Sequence, residues 1–239
     1  MATLVIPDVH ERFDRLSNAL VGRMEKASRI VFLGDWFDAF GGRDLDRLGE
    51  ICAFINANHD GLRYEDRVIP TDWLLGNHDC HYFFQSNGFK CSGYDPVKHN
   101  FISANIPDVV VDSFKIFTKV GPYTLSHAGF HEATLQYCRP EVEREALKTV
   151  KGGGWDPIFG AGRARGGSQM IGGPTWLDWN SEFEHIPEVP QIVGHTHGSA
   201  VRTKGVSTGD STKDRTAMLS FPWACKAGAS TLAFGSWRG

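Results

Sequence analysis

The 239-residue sequence predicts an α/β fold, and three observations carry that prediction. Short apolar runs alternate with helical periodicities through the first third of the chain. The second half is richer in strand patterns than in helical ones. Apolar runs in both halves end in an Asp, Asn or His. A strand–helix–strand–helix–strand order implies parallel strands with helical crossovers, and in such sheets ligands gather at the carboxyl ends of the strands.

Residues 3–7 read as a buried strand ending at Asp8. Phe13, Leu16, Leu20 and Met24 recur at helical spacing and predict a helix. Residues 30–33 form a second apolar strand ending at Gly34-Asp35, and Leu45, Leu48, Cys52 and Ile55 mark a second helix. Residues 72–75 are a third strand, delivering Gly76-Asn77-His78-Asp79. Residues 109–111, 115–120 and 123–126 predict a meander, with Gly121-Pro122 as the turn between the last two. Residues 141–151 suit a charged surface helix, and 191–193 a short strand feeding Gly194-His195. Residues 217–221 and 231–234 complete a second sheet. With no internal repeat and no long linker, one domain over residues 1–239 is expected.

Composition narrows the function classes. A net charge of −3 with mixed signs gives no bulk electrostatic footprint for nucleic acid. No apolar run reaches membrane-spanning length, and the start of the chain lacks the charge and length of a signal peptide. Five cysteines without paired spacing read as reduced thiols, and a cytoplasmic location is expected.

The chemistry lies in five ordered clusters: Asp8-Val9-His10, Gly34-Asp35-Trp36-Phe37-Asp38, Gly76-Asn77-His78-Asp79, Ser126-His127-Ala128-Gly129 and Gly194-His195-Thr196-His197-Gly198. Together they offer enough Asp, Asn and His ligands for two divalent ions. Two ions roughly 3.5–4 Å apart can hold the attacking and leaving oxygens of an in-line phosphoryl displacement. They need a bridging carboxylate, for which Asp35 is the candidate. Imidazoles select transition metals, and carboxylate or amide oxygens keep the site hard enough for manganese, iron or zinc. A residual positive charge lowers the pKa of bound water and attracts an anionic ester.

The pattern Asp-x-His, Gly-Asp-x-x-Asp, Gly-Asn-His-Asp, His, Gly-His-x-His resembles the calcineurin-like metallophosphoesterase superfamily. That resemblance implies a four-layer α/β/β/α sandwich with two central mixed sheets. It implies a dinuclear centre in which one ion binds Asp8, His10, Asp35 and His197 and the other Asp35, Asn77, His127 and His195. Manganese is the first expectation, with iron, zinc, nickel and cobalt as alternatives. His78 matches the family's leaving-group histidine, with Asp38 or Asp79 as its orienting partner, and Asn77 lies beside it to contact phosphate. The implied activity is phosphoester hydrolysis by a metal-activated hydroxide on a small molecule, a nucleotide or a phosphoprotein.

Gly173-Pro174-Thr175-Trp176 and the final histidine motif look like the serine/threonine phosphatase and diadenosine tetraphosphatase branch, which favours a phosphomonoester. Ala39 and Leu75 stand where that branch carries arginines, Asp79 where it carries glutamate, and His197 is an additional histidine. These departures favour a phosphodiester or nucleotide anhydride as the second reading. A non-catalytic scaffold is the third, and the intact ligand set argues against it.

Residues 152–173 carry nine glycines around Arg163 and Arg165. They read either as a solvated loop or as a flap that brings guanidinium groups to a phosphate. Arg202 and His81 complete the expected substrate contacts. Cys80, Trp176 and Trp179 read as packing residues, Asp178 as a solvated charge, and His59, His99, His131 and His185 as surface or hydrogen-bonded histidines.

Overall fold

The computed structural model describes residues 2–39, 41–84, 92–198, 200–205 and 216–218. β1 (Ala2–Ile6) and β2 (Ala27–Phe32) are joined through α1 (Phe13–Leu20). α2 (Leu45–Asn58) and a small hairpin, β3 (Leu62–Tyr64) with β4 (Arg67–Ile69), lead to β5 (Thr71–Leu74). α3 (Asn77–Phe83), α4 (Pro96–Asn105) and the single turn α5 (Asp108–Val111) precede β6 (Phe114–Lys115), β7 (Phe117–Val120) and β8 (Tyr123–Ser126). α6 (Pro140–Lys151) and a long irregular stretch then reach β9 (Gln191–Val193), β10 (Arg202–Lys204) and β11 (Thr216–Met218).

The first sheet has the order β1-β2-β5-β6, and the second β10-β11-β9-β8-β7. The expectation of two mixed sheets holds only for the second: among the described residues the first is wholly parallel. In the second, β8, β9 and β11 run parallel and the outer pairs antiparallel.

Alternation along the strands explains the packing. Leu4, Ile6, Ile30, Phe32 and Trp73 face the helices, meeting Leu16 and Leu20 of α1 and Leu48, Ile51 and Ile55 of α2. The intervening Val5, Val31 and Leu74 face the other way, against Tyr123, Leu125 and Ile192 of the second sheet. Burial on both faces is why these strands read as continuous apolar runs. Each fully buried side chain of this size contributes about 1.5–3 kcal/mol. The outer face of the second sheet, at Val193 and Met218, is covered by Leu177, Trp179 and Phe183 from an irregular segment.

Two expected strands are corrected. Residues 109–111 form a helical turn, because the carbonyls of Pro107 and Asp108 accept the amides of Val110 (2.9 Å) and Asp112 (2.8 Å). The turn buries Val110 and leaves Val109 in solvent. Residues 115–120 are two strands: β6 pairs with β5 and β7 with β8, so the chain passes from one sheet to the other at Ile116. The amide of Ile116 donates to Glu143 Oε1 of α6 (2.6 Å), which also receives the amide of Phe117 (3.3 Å). A buried crossing needs such partners. The helix expected through Met24 stops at Leu20, where Gly22 in the left-handed region breaks it. Of the strand expected over residues 217–221, residues 217 and 218 pair within β11, and residues 219–221 and 231–234 lie outside the described residues.

Candidate metal centre

β1, β2 and β5 are parallel, so their carboxyl ends share one edge, and those of β8 and β9 share another. The two edges meet: the amide of His195, after β9, donates to both carboxylate oxygens of Asp8, after β1 (3.1 and 3.2 Å). The connecting loops are strained. Asp8, His10, Glu11, Asp35, Asp38 and His195 have positive φ, and among the described non-glycine residues only Glu65 does so elsewhere. Such backbone costs about 1–3 kcal/mol per residue and persists only where the surroundings enforce it. Gly34 and Gly76 pass so closely that a β-carbon on either would collide with the other loop, which accounts for the glycine before each ligand motif.

Asp35 is central. Its Oδ1 accepts the backbone amide of His78 (2.9 Å), while Oδ2 lies 3.6 Å from His10 Nε2 and 3.3 Å from His127 Nε2. A single oxygen thus faces both histidines, and the other is occupied. Nδ1 of His10 donates to the carbonyl of Phe37, and Nδ1 of His127 to that of Leu33, both at 2.9 Å. These bonds leave the Nε2 lone pairs facing Asp35, the arrangement typical of ligating histidines.

The donors form two groups sharing Asp35: Asp8, His10 and Asp35, and Asp35, His127 and His195. Asn77 Oδ1 and His195 Nδ1 lie 3.1 and 3.0 Å from His127 Nε2. His195 Nε2 is buried with no hydrogen-bond partner among the described residues. His197 is exposed but shares a cavity with Asp8 and His10. Electrostatics agree. Burial works against the His127 cation, but Asp35 and Asp8 win and push its pKa up to about 9. Burial would raise Asp35, yet His127 and His78 hold it well below the ordinary value. Burial and neighbouring His127 keep His195 neutral. Convergent lone pairs and crowded charge of this kind fit a divalent transition ion, which takes the place of a shared proton.

Beside the donors stands His78, whose Nδ1 donates to Asp38 Oδ2 (2.8 Å). Of the two expected partners, Asp38 makes this contact. Asp79 is fully buried and accepts the amides of Asp35 (2.9 Å), Trp36 (2.8 Å) and Gly76 (2.8 Å), tying two site loops together. Burial and neighbouring Asp35 raise its pKa to about 7. His81, expected to reach phosphate, is instead buried, with Nε2 2.7 Å from Asp38 Oδ2. Asp38, His78 and His81 are also spaced for a metal, but Lys98 Nζ lies 3.2 Å from Asp38 Oδ1 and fills the cationic place.

The arginines are arranged differently from expectation. Arg202 donates to the carbonyls of Thr196 (3.0 Å) and His197 (2.9 Å), so it straps the last ligand loop. Arg165 donates to Thr196 Oγ1 (2.7 Å) and pairs with Asp178 (2.8 Å). Asp178 is therefore buried and paired, not solvated. Arg163 is exposed on a short 3-10 turn. Several glycines of this segment serve close packing: a β-carbon at Gly173 would strike the Ile158 carbonyl, and one at Gly167 the Ala161 carbonyl. Arginines absent from the sequence reading, Arg12 and Arg15, share the cavity with Asp8, His10 and His197. Their signal was proximity in sequence to the first motif. Trp179 is buried, whereas Trp176 is half-buried with its ring edge-on to His195 (6.0 Å between centroids). Cys80 is buried packing, as expected.

One comparison with known proteins spans this site. A model of the calcineurin-like phosphoesterase family matches residues 1–199, which hold all five motifs. No curated protein matches the sequence. Among solved structures, the chain is similar to a cold-active protein-tyrosine phosphatase of a psychrophilic Shewanella, with a TM-score of 0.55, 15% identity, and coverage of 85% of this chain and 67% of that one. A second structure described as a cold-active protein tyrosine phosphatase has a TM-score of 0.56 and 16% identity, covering 85% and 66%. At such identity the likeness speaks for the fold, and the chain spans about two thirds of their length. Family match and assembled ligand set lead to one conclusion: the chain belongs to the calcineurin-like phosphoesterase family and is a metal-dependent phosphoester hydrolase.

Proposed function

We propose that this chain is a dinuclear phosphomonoesterase, with Asp8, His10, Asp35 and His197 holding one ion and Asp35, Asn77, His127 and His195 the other. The observation that carries the reading is Asp35 Oδ2, placed between His10 and His127 while Oδ1 is anchored. Two divalent ions bound there supply Lewis-acid charge to the phosphoryl oxygens and lower the pKa of water, with manganese the first candidate. The protein's own part is positioning and proton transfer. Asn77 and the strained loops fix the phosphate, and His78 gives its Nε2 proton to the departing oxygen. Its Nδ1 keeps its proton, hydrogen-bonded to Asp38 Oδ2, so the imidazole holds its orientation as it becomes neutral. No covalent enzyme intermediate is required.

The test combines metal content with turnover. Purified protein should contain manganese, iron or zinc and hydrolyse p-nitrophenyl phosphate, and chelation should abolish both. Chelation should also lower Tm. An ion at a hundredfold excess over its Kd stabilises by about 2.7 kcal/mol, which for a chain of this size is roughly 5–11 °C. A metal-free protein without turnover, unchanged by added manganese, would leave the scaffold reading.

The second reading, a phosphodiesterase or nucleotide-anhydride hydrolase, is favoured by burial of Ala39 and Leu75 without a cation at either place. Arg12 and Arg15 separate the two readings. Asp14 holds Nε and one terminal nitrogen of Arg12 (3.1 and 3.0 Å), orienting the guanidinium at the cavity rim. Replacing either arginine by alanine should weaken binding of a monoester dianion by about 1.5–3 kcal/mol, the range for hydrogen bonds to charged groups. KM for p-nitrophenyl phosphate should rise more than KM for its bis ester. Equal, small effects on both would move the diester reading ahead.

A further inference from the structure

We propose that Lys98 is a positioning residue for His78, acting through Asp38; the inference rests on the phosphoesterase reading above. Lys98 comes from the first turn of α4, and only 4% of its surface is exposed. A buried ammonium is rare and needs close partners. Its Nζ lies 2.6 Å from Glu11 Oε1 and 3.2 Å from Asp38 Oδ1, and Glu11 is itself fully buried. The backbone amide of Asp38 donates to the same Glu11 oxygen (2.9 Å). A closed ring results, in which Glu11 holds the Asp38 main chain and Lys98 ties Glu11 to the Asp38 side chain.

The ring governs which way Asp38 faces. Its Oδ1 receives Lys98 and the hydroxyl of Tyr82 (2.6 Å), and its Oδ2 receives His78 Nδ1 (2.8 Å) and lies 2.7 Å from His81 Nε2. A carboxylate has about four lone-pair sites, and four side chains converge on this one. Rotation of Asp38 about its terminal bond would break every one of these contacts. His78 is thereby held with Nδ1 on Asp38, which leaves Nε2, on the far side of the ring, as the atom that must meet the leaving oxygen. Asp38 has positive φ (66°), so without the Glu11 clamp its backbone would relax as well. One ammonium also serves two buried carboxylates, which keeps Glu11 and Asp38 from driving each other apart.

The experiment compares the parent with Lys98→Met, Lys98→Arg and the double variant Glu11→Gln/Lys98→Met, which removes the buried ion pair together and so keeps the fold accessible. Supporting contacts of this kind are typically worth about 10–100-fold in activity. In Lys98→Met and in the double variant, kcat for phenyl phosphate should fall by that factor. The loss for p-nitrophenyl phosphate should be smaller, with KM and bound metal unchanged, and Lys98→Arg should recover part of it. In zinc-loaded protein, the ring N–H signal assigned to His78 by its absence in His78→Ala should shift or broaden in the Lys98→Met variants. Equal losses for the two esters with an unshifted His78 signal would make Lys98 a packing residue and overturn the proposal. If the parent hydrolyses neither ester, the phosphoesterase reading fails by itself, and the His78 signal still decides whether Lys98 positions the ring.

Discussion

Asp35→Asn is expected to empty the centre of metal and to lower kcat by orders of magnitude while leaving the fold intact. Two dications roughly 3.5–4 Å apart repel by on the order of 15 kcal/mol even at an effective dielectric of about 20, and the bridging carboxylate offsets part of that. The local geometry makes the amide worse than merely neutral. The backbone N–H of His78 requires an acceptor at the Oδ1 position, so the carbonyl oxygen of Asn would turn there. Its NH2 group would then occupy the Oδ2 position, presenting hydrogens where His10 and His127 converge. Metal analysis and calorimetry check the outcome. Two tightly held ions with near-normal turnover in Asp35→Asn would refute the bridge.

His78→Ala should do the opposite: keep the metals and lose kcat. The anchor on Asp35 is the His78 backbone amide, which the substitution retains, so the bridging carboxylate stays oriented. What disappears is the imidazole on Asp38 Oδ2. General acid catalysis is typically worth about 10²–10⁴-fold, or roughly 2.7–5.5 kcal/mol of barrier. The loss should be largest for alkyl phosphates and smallest for nitrophenyl phosphate, whose leaving group needs little protonation. A uniform loss would leave His78 as an electrostatic contact only, and departure of metal would make it a ligand.

The parts of the site legible in the sequence are those set by strand ends. Five of the seven proposed ligands follow a strand at a distance of one to three residues, so a motif sufficed to place Asp8, Asp35, Asn77, His127 and His195. Contacts among motifs were also implied by their number. Contacts supplied from elsewhere were hidden. Lys98 lies 60 residues from Asp38 and 87 from Glu11, and no local pattern joins them. A weaker signal existed, since Asp95-Pro96 is a helix start: the Asp95 side chain accepts the Val97 amide and Pro96 occupies the first turn. The split of residues 115–120 between two sheets was invisible because β6 and β7 are short and share one apolar pattern. The three nominated arginines were chosen by proximity to motifs and glycines. Proximity in sequence does not show that Arg202 is turned onto carbonyls or Arg165 onto Asp178.

The joining of Asp8 to His195 spans 187 residues and has a consequence for the order of events during synthesis. On the proposed ligand set, the amino-terminal motifs supply mostly oxygen donors (Asp8, Asp35, Asn77), with His10 the one imidazole among them. The nitrogen-rich remainder, His127, His195 and His197, emerges only after every strand of the first sheet has been made. On that set, a growing chain would present mainly hard oxygen donors first and acquire most of its imidazoles, which suit transition metals, last. Metal choice would then rest with the finished molecule, after loop closure over most of its length, and not with the nascent chain.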